Sequence, residues 1–152
     1  MYVIMSASGN IGSKLTNLLL DKGEKVKVLG RSAERLQPFV DRGAEAAVGE
    51  VSDAGFLTRA FTGADAVFAL IPPAYTAKDF RGYYNEIGAN IVTAIQESGV
   101  KHVVFLSSHG AELPEKTGPV KGLHDVEQKL NTLDDVNVLH LRPTYFMENL
   151  LA

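Results

Sequence analysis

Short apolar runs recur along the chain, separated by stretches in which apolar residues return every three or four positions. A continuous apolar run suits a strand buried on both sides, and a period near 3.6 suits a helix packed along one face. Their alternation is the pattern of a parallel sheet covered by helices on both faces. Six strands are expected, at residues 2–5, 25–29, 44–48, 66–71, 102–107 and 136–141. Between the first two, Ile11, Leu15, Leu18 and Leu19 are expected to share one helical face, with Gly23 as the stop. Tyr84, Ile87, Ile91, Ala94 and Ile95 repeat that spacing before Gly99, and Leu123, Val126, Leu130 and Leu133 repeat it before the last strand. Shorter helices are expected over 32–41 and 53–61. Gly110, Pro114, Gly118 and Pro119 make 109–119 an irregular loop at the carboxyl end of the fifth strand, the edge where open α/β sheets bind ligands. The expected fold is therefore α/β, a doubly wound, three-layer parallel sheet of Rossmann type forming one domain over 1–152.

The first strand leads into Ser6-Ala7-Ser8-Gly9-Asn10-Ile11-Gly12, which opens the first helix. A helix start offers unpaired backbone N–H groups and the positive end of its dipole, so a pyrophosphate docks there when side chains leave the backbone open. Gly9 permits that approach, and Gly12 lets the helix lie close on the strand. Glycines also occur in such turns for packing alone; the strand-turn-helix placement is what favours a phosphate here. Gly12-Ser13-Lys14 scrambles the order of a P-loop, which argues against a nucleoside triphosphatase. The hydroxyl-rich turn is also compatible with the FMN phosphate of a flavodoxin-like protein, a rival reading that stays open.

The end of the second strand speaks to that choice. Dinucleotide folds place the residue that reads the ribose there, a carboxylate for the 2'-hydroxyl of NAD or an arginine for the 2'-phosphate of NADP. This chain has Leu29-Gly30-Arg31, with Arg35 one helical turn further on. NADP is the expected cofactor, ahead of NAD.

Composition narrows the partners. The chain has 152 residues, 45% of them hydrophobic, enough for one core. With 15 basic and 18 acidic residues spread along it, the net charge is −3, and no basic stripe suggests nucleic acid or an anionic membrane. No apolar run approaches the roughly 18 residues of a spanning helix. There are no cysteines, so disulfides and thiolate zinc sites are excluded. His102, His109, His124 and His140 show no ligand spacing, and no metal is expected. A small-molecule substrate and a cytoplasmic location are the expectations.

Taken in order, SASGNIGSKL, GRSAERL, GEVSD, ADAVFALIPP, GVKHVVFLSS and LRPTYFMENLL resemble the segments of the NmrA-like family of atypical short-chain dehydrogenases along the whole chain. The resemblance implies a Rossmann domain that prefers NADP. It also implies either NADPH-dependent reduction of small carbonyl or quinone substrates or a redox-sensing role without catalysis. Carried over residue by residue, it places Ser6, Ser8, Gly9, Asn10, Ile11 and Gly12 at the pyrophosphate and Arg31 at the 2'-phosphate. It places Glu50 and Val51 beside the adenine, Leu70, Ile71 and Pro72 under the riboses, and Ser107 and Ser108 next to the nicotinamide. Asn90 matches a helix position that carries a structural or catalytic asparagine in related enzymes. Two departures stand out: Ser6 replaces the family's first glycine, and Glu50 stands where aspartate is commoner.

The usual tyrosine donor of the wider superfamily has a lysine four residues on, and none of Tyr2, Tyr75, Tyr83, Tyr84 or Tyr145 has one. The corresponding helix instead carries Lys121, His124 and Glu127, which makes His124 a candidate acid, with His109 at the sheet's mouth a second. Family members continue beyond the ENLL segment with elements that build the substrate pocket. The chain is accordingly expected to be the cofactor-binding part. Its apolar end, Tyr145, Phe146, Met147, Leu150 and Leu151, is expected to meet a partner protein or a second copy.

Overall fold

The computed structural model describes residues 1–74 and 76–150, Asn149 by its backbone alone; Tyr75 and Leu151, both named above, lie outside the described residues. Six parallel strands, β1 (Tyr2–Ile4), β2 (Val26–Gly30), β3 (Glu45–Val48), β4 (Ala66–Leu70), β5 (His102–Leu106) and β6 (Asn137–Leu141), form one sheet in the order β3-β2-β1-β4-β5-β6. Each lies within about a residue of its expected span. The order reverses between β1 and β4, and the crevice at such a switch point is where this sheet type takes ligands; a flavodoxin sheet has a different order.

Five helices alternate with the strands: α1 (Asn10–Asp21), α2 (Ala33–Val40), α3 (Ala54–Phe61), α4 (Phe80–Ser98) and α5 (Lys121–Leu130). Because side chains alternate across a strand, β1 sends Val3 into the core beneath α3, α4 and α5 and Ile4 into the core beneath α1 and α2. Phe61, Leu57, Ile87, Ile91, Ile95 and Phe105 are fully or almost fully buried in the first core, and Leu36 is fully buried in the second. One expectation fails here. Leu18 is 59% exposed, and α1 instead faces the sheet with buried Gly12 and Thr16, flanked by Ile11, Leu15, Leu19 and Leu20. Two positions on from Thr16 is about 200° around the helix, so Leu18 points away from the sheet. On the α1 side of the edge strand β6, Leu139 and Leu141 also remain exposed. No helix among the described residues is long and apolar enough to cross a membrane.

α4 and α5 pack through their glycines. A Cβ at Gly88 would stand 2.3 Å from a methyl of Val126, and one at Gly122 would stand 2.6 Å from Cβ of Tyr84. Around that contact Arg81 grips Asp125 through Nε at 2.6 Å and Nη2 at 3.0 Å, while Asn85 donates to Asp125 at 2.8 Å and accepts from Lys129 at 2.8 Å. The Arg81 hydrogen bonds, with help from Asn85, hold the Asp125 carboxyl down at about 2. A depressed carboxyl pKa means stability that is present above the usual value near 3.8 and lost as pH falls through the folded value. Wild type should therefore lose on the order of 1–2 kcal/mol more than Asp125→Asn between about pH 6 and pH 2, after discounting for the half-exposed Arg81. Urea unfolding of both proteins across that range measures the difference, and parallel pH profiles would remove Asp125 from acid stability.

Candidate functional site

The carboxyl edge of the sheet opens into a cleft of about 1250 Å³. That exceeds the roughly 300–1,000 Å³ of pockets for drug-sized ligands and leaves room for a dinucleotide. Its floor is the turn after β1. Met5 N–H donates to Phe68 O at 3.0 Å and Ala7 N–H to Leu29 O at 3.1 Å, so the chain stays tied to β4 and β2 past the formal strand end. Between them Ser6 adopts φ 51°, in the left-handed region, and its carbonyl accepts from Gly9 N–H at 2.9 Å. That carbonyl turns in against α1: a Cβ on Gly12 would come within 2.3 Å of it, and one on Gly9 within 3.2 Å. Gly12 is thus a steric requirement of the turn, and the family's glycine at Ser6 answers a conformational one.

α1 begins at Gly9 with no side-chain cap and no acidic residue in its first turn. The contrast with its neighbours is informative. Ser32 caps α2 by accepting from Arg35 N–H, Asp53 caps α3 through Phe56 N–H, and Asp79 caps α4 through Gly82 N–H. Side chains close the starts of those three helices, whereas the first-turn donors of α1 face the cleft free for an anion. Ser6, Ser8, Gly9, Asn10, Ile11 and Gly12 all line this part of it.

At one end of the cleft β2 delivers Arg31, with Arg35 from α2 beside it. Neither guanidinium has an ion-pair or hydrogen-bond partner among the described residues. Glu50 and Val51 line the same end. Their turn is braced from behind by Asn90, whose Nδ2 donates to Ser52 O at 3.0 Å and Val51 O at 3.4 Å. Asn90 itself does not line the cleft.

Leu70 at the end of β4 with Ile71 and Pro72 after it, then Ser107, Ser108 and His109 after β5, line the other end. Ser107 is 5% exposed, and its hydroxyl faces the Glu127 carboxylate of α5, which it helps to hold ionised. Behind it Glu127 of α5 is fully buried and bound bidentately by Arg142, at 2.9 and 2.5 Å. Burial alone would raise the Glu127 carboxyl, but the Arg142 hydrogen bonds and charge outweigh it and hold the group ionised below its usual range. The two candidate acids part company. His109 lines the cleft, whereas His124 is absent from its lining, its Nδ1–H donating to Ala111 O at 2.7 Å. The amphipathic spacing of α5 could not reveal this, because the carbonyl that draws the ring away belongs to the loop after β5.

Three contributors escaped the sequence reading. Tyr83 of α4 lines the cleft and donates its hydroxyl to Pro72 O at 3.0 Å, bracing the segment after β4, and burial raises that hydroxyl's pKa. The side chain of Phe56 lies over Gly49, where a Cβ would be 2.6 Å from the ring. Lys14 lines the cleft one turn along α1 and pairs with Glu148 at 3.1 Å. The i, i+1, i+4 run Tyr83, Tyr84, Ile87 was the available signal for the first; the others depend on tertiary placement. The apolar C-terminal end divides. Tyr145 and Phe146 line the cleft, while Met147 and Leu150, 70% and 64% exposed, do not. No cluster of three or more acidic or histidine side chains able to hold a metal occurs among the described residues.

The NAD(P)H-binding family matches residues 6–143, and the chain belongs to it. No curated protein matches the sequence at significance. Among solved structures, triphenylmethane reductase from Citrobacter sp. in complex with NADP(H) superposes with a TM-score of 0.85 at 24% identity, covering 99% of this chain and 51% of that one. An NADPH-dependent quinone oxidoreductase from Escherichia coli, bound to NADPH, gives 0.83 at 19% identity, with 99% and 51% covered. A nucleoside-diphosphate-sugar epimerase from Staphylococcus aureus gives 0.83 at 17%, with 98% and 52% covered. The chain spans about half the length of each of these three structures. At such identities they share the fold, and the family match carries the NAD(P)H binding.

The Ser6 geometry makes a prediction. Ser6→Gly relieves a left-handed non-glycine residue at some cost in unfolded-state entropy and should raise the unfolding free energy by roughly 0.5–1 kcal/mol. Gly12→Ala presses a methyl against a backbone carbonyl and should lower it by about 1–3 kcal/mol. Equilibrium urea unfolding reads both, and a destabilised Ser6→Gly protein would show that the turn does not need this φ.

Proposed function

We propose that this chain binds NADP(H) in preference to NAD(H) and presents it for NADPH-dependent reduction of a small carbonyl or quinone compound. The observation that carries the preference is the pair Arg31 and Arg35, unpaired at the end of β2, where a dinucleotide fold reads the ribose. The names of the Citrobacter and Escherichia coli proteins, a reductase and an NADPH-dependent quinone oxidoreductase, support the same reading. In this reading the open start of α1 holds the pyrophosphate, Gly9 and Gly12 keep the backbone approachable, and Glu50 and Val51 flank the adenine. Leu70, Ile71 and Pro72 run under the riboses, and Ser107 and Ser108 meet the nicotinamide ring, which when bound supplies the hydride. His109, the one of the two candidate histidines that lines the cleft, delivers the proton to the substrate oxygen. A non-catalytic redox sensor is the second reading. It is favoured by Lys14, the only lysine lining the cleft, being paired with Glu148 instead of flanking a tyrosine.

Arg31→Ala should weaken NADPH by about 1–3 kcal/mol, the range for charge-assisted hydrogen bonds, and leave NADH nearly unchanged. Calorimetric titration with both cofactors decides it; equal losses would remove Arg31 from 2'-phosphate reading. For the chemistry, His109→Gln should slow NADPH oxidation by a simple benzoquinone by about a hundredfold, within the range for a lost proton donor. Tight NADPH binding with no turnover by wild type would favour the sensor.

A further inference from the structure

The segment that follows β6 does not stay at the edge of the sheet. β6 lies three strand spacings, about 14 Å, from β1, and α1 rises from the end of β1. Four extended residues beyond Arg142 and the start of a 3₁₀ turn reach about 17 Å, enough to recross that distance. They do so: Pro143, Thr144, Tyr145, Phe146 and Glu148 line the cleft, and Glu148 meets Lys14 of α1 at 3.1 Å. The root of the segment is fixed, since Leu141 O accepts from Ser107 N–H at 2.8 Å and Pro143 O from His109 N–H at 2.9 Å. Its far end carries little buried surface. Tyr145, Met147 and Leu150 are each more than 60% exposed, and among the described residues the Lys14–Glu148 ion pair joins the one-turn 3₁₀ helix Met147–Leu150 to α1.

We propose that residues 143–148 form a strap across the mouth of the cofactor cleft, hinged at Pro143 and latched by the Lys14–Glu148 ion pair, which must open for NADP(H) to enter or leave. The proposal rests on the cofactor reading for its ligand, while the latch itself is a property of the free protein. The strap runs from His109 at its root to Lys14 of α1 at its tip, with Tyr145 and Phe146 among the residues that line the cleft between them. A latch made of one exposed pair is weak by design, because screening and side-chain entropy leave such pairs little net strength. It can slow exchange without blocking it.

Charge reversal separates a latch from a plain field effect. If Lys14 and Glu148 only set the local potential, Lys14→Glu should speed release of the anionic cofactor and Glu148→Lys should slow it. A latch requires both single variants to speed release, by about two- to fivefold, and the double variant Lys14→Glu/Glu148→Lys to return to within about twofold of wild type. Stopped-flow NADPH fluorescence measures the rates. Opposite effects of the two single variants, no effect of either, or no recovery in the double variant would overturn the strap. Amide exchange of residues 144–148 in the cofactor-free protein gives the independent readout: faster in each single variant and slowed again in the double. If wild type binds neither NADPH nor NADH, the cofactor reading fails, and the exchange data still decide the latch.

Discussion

The Ser6 carbonyl pressed against Gly12 is the contact on which the cleft depends. It requires the chain to leave β1 through a left-handed residue while Met5 and Ala7 remain bonded to β4 and β2. It brings α1 down onto the sheet, with Gly12 and Thr16 buried at the interface. It also points the first-turn N–H groups of α1 into the crevice where the strand order reverses. A side chain at position 12 would lift the helix, and capping those donors from within would remove the reason for an anion to bind. α2, α3 and α4 have such caps, and α1 does not.

Charge is distributed with the same division between framework and site. Glu127 is fully buried and its partner Arg142 is 36% exposed, so the ion pair offsets the cost of burying one carboxylate and its main effect is geometric. It ties α5 to the end of β6, and Arg142 also lies 3.9 Å from Glu112 in the loop that presents His109. Arg81 and Asp125 tie α4 to α5 in a similar way, on a more exposed surface. The guanidinium groups at the cleft, Arg31 and Arg35, have no hydrogen-bond or ion-pair partner among the described residues, which keeps their donors available for a ligand.

Much of this was legible in the linear sequence, because the governing signals are local. Continuous apolar runs located six strands to within about a residue, Gly23 and Gly99 marked two helix ends by adopting positive φ, and the strand-turn-helix string marked the turn that opens onto the cleft. All fourteen residues expected at the cofactor line the cleft, since a strand's carboxyl end and the turn after it are adjacent in sequence and in space. Periodicity erred where the helix face had to be fixed by more than spacing. Leu18 lost its place to Thr16 because a glycine and a threonine, not leucines, permit the close approach that α1 makes.

What only the tertiary structure decided are the relations between distant segments. Whether His109 or His124 meets the cleft turned on the Ala111 carbonyl, thirteen residues before His124 and in a loop whose path no local propensity fixes. The brace from Tyr83 to Pro72 and the pairing of Lys14 with Glu148, 134 residues apart, arise from how helices settle on the sheet and how the chain recrosses its edge. Local sequence determined the strands, the turns and the residues at their ends, because backbone sterics and apolar spacing act over a few positions. Packing decided which of those side chains face one another, because that depends on distances set by the whole fold.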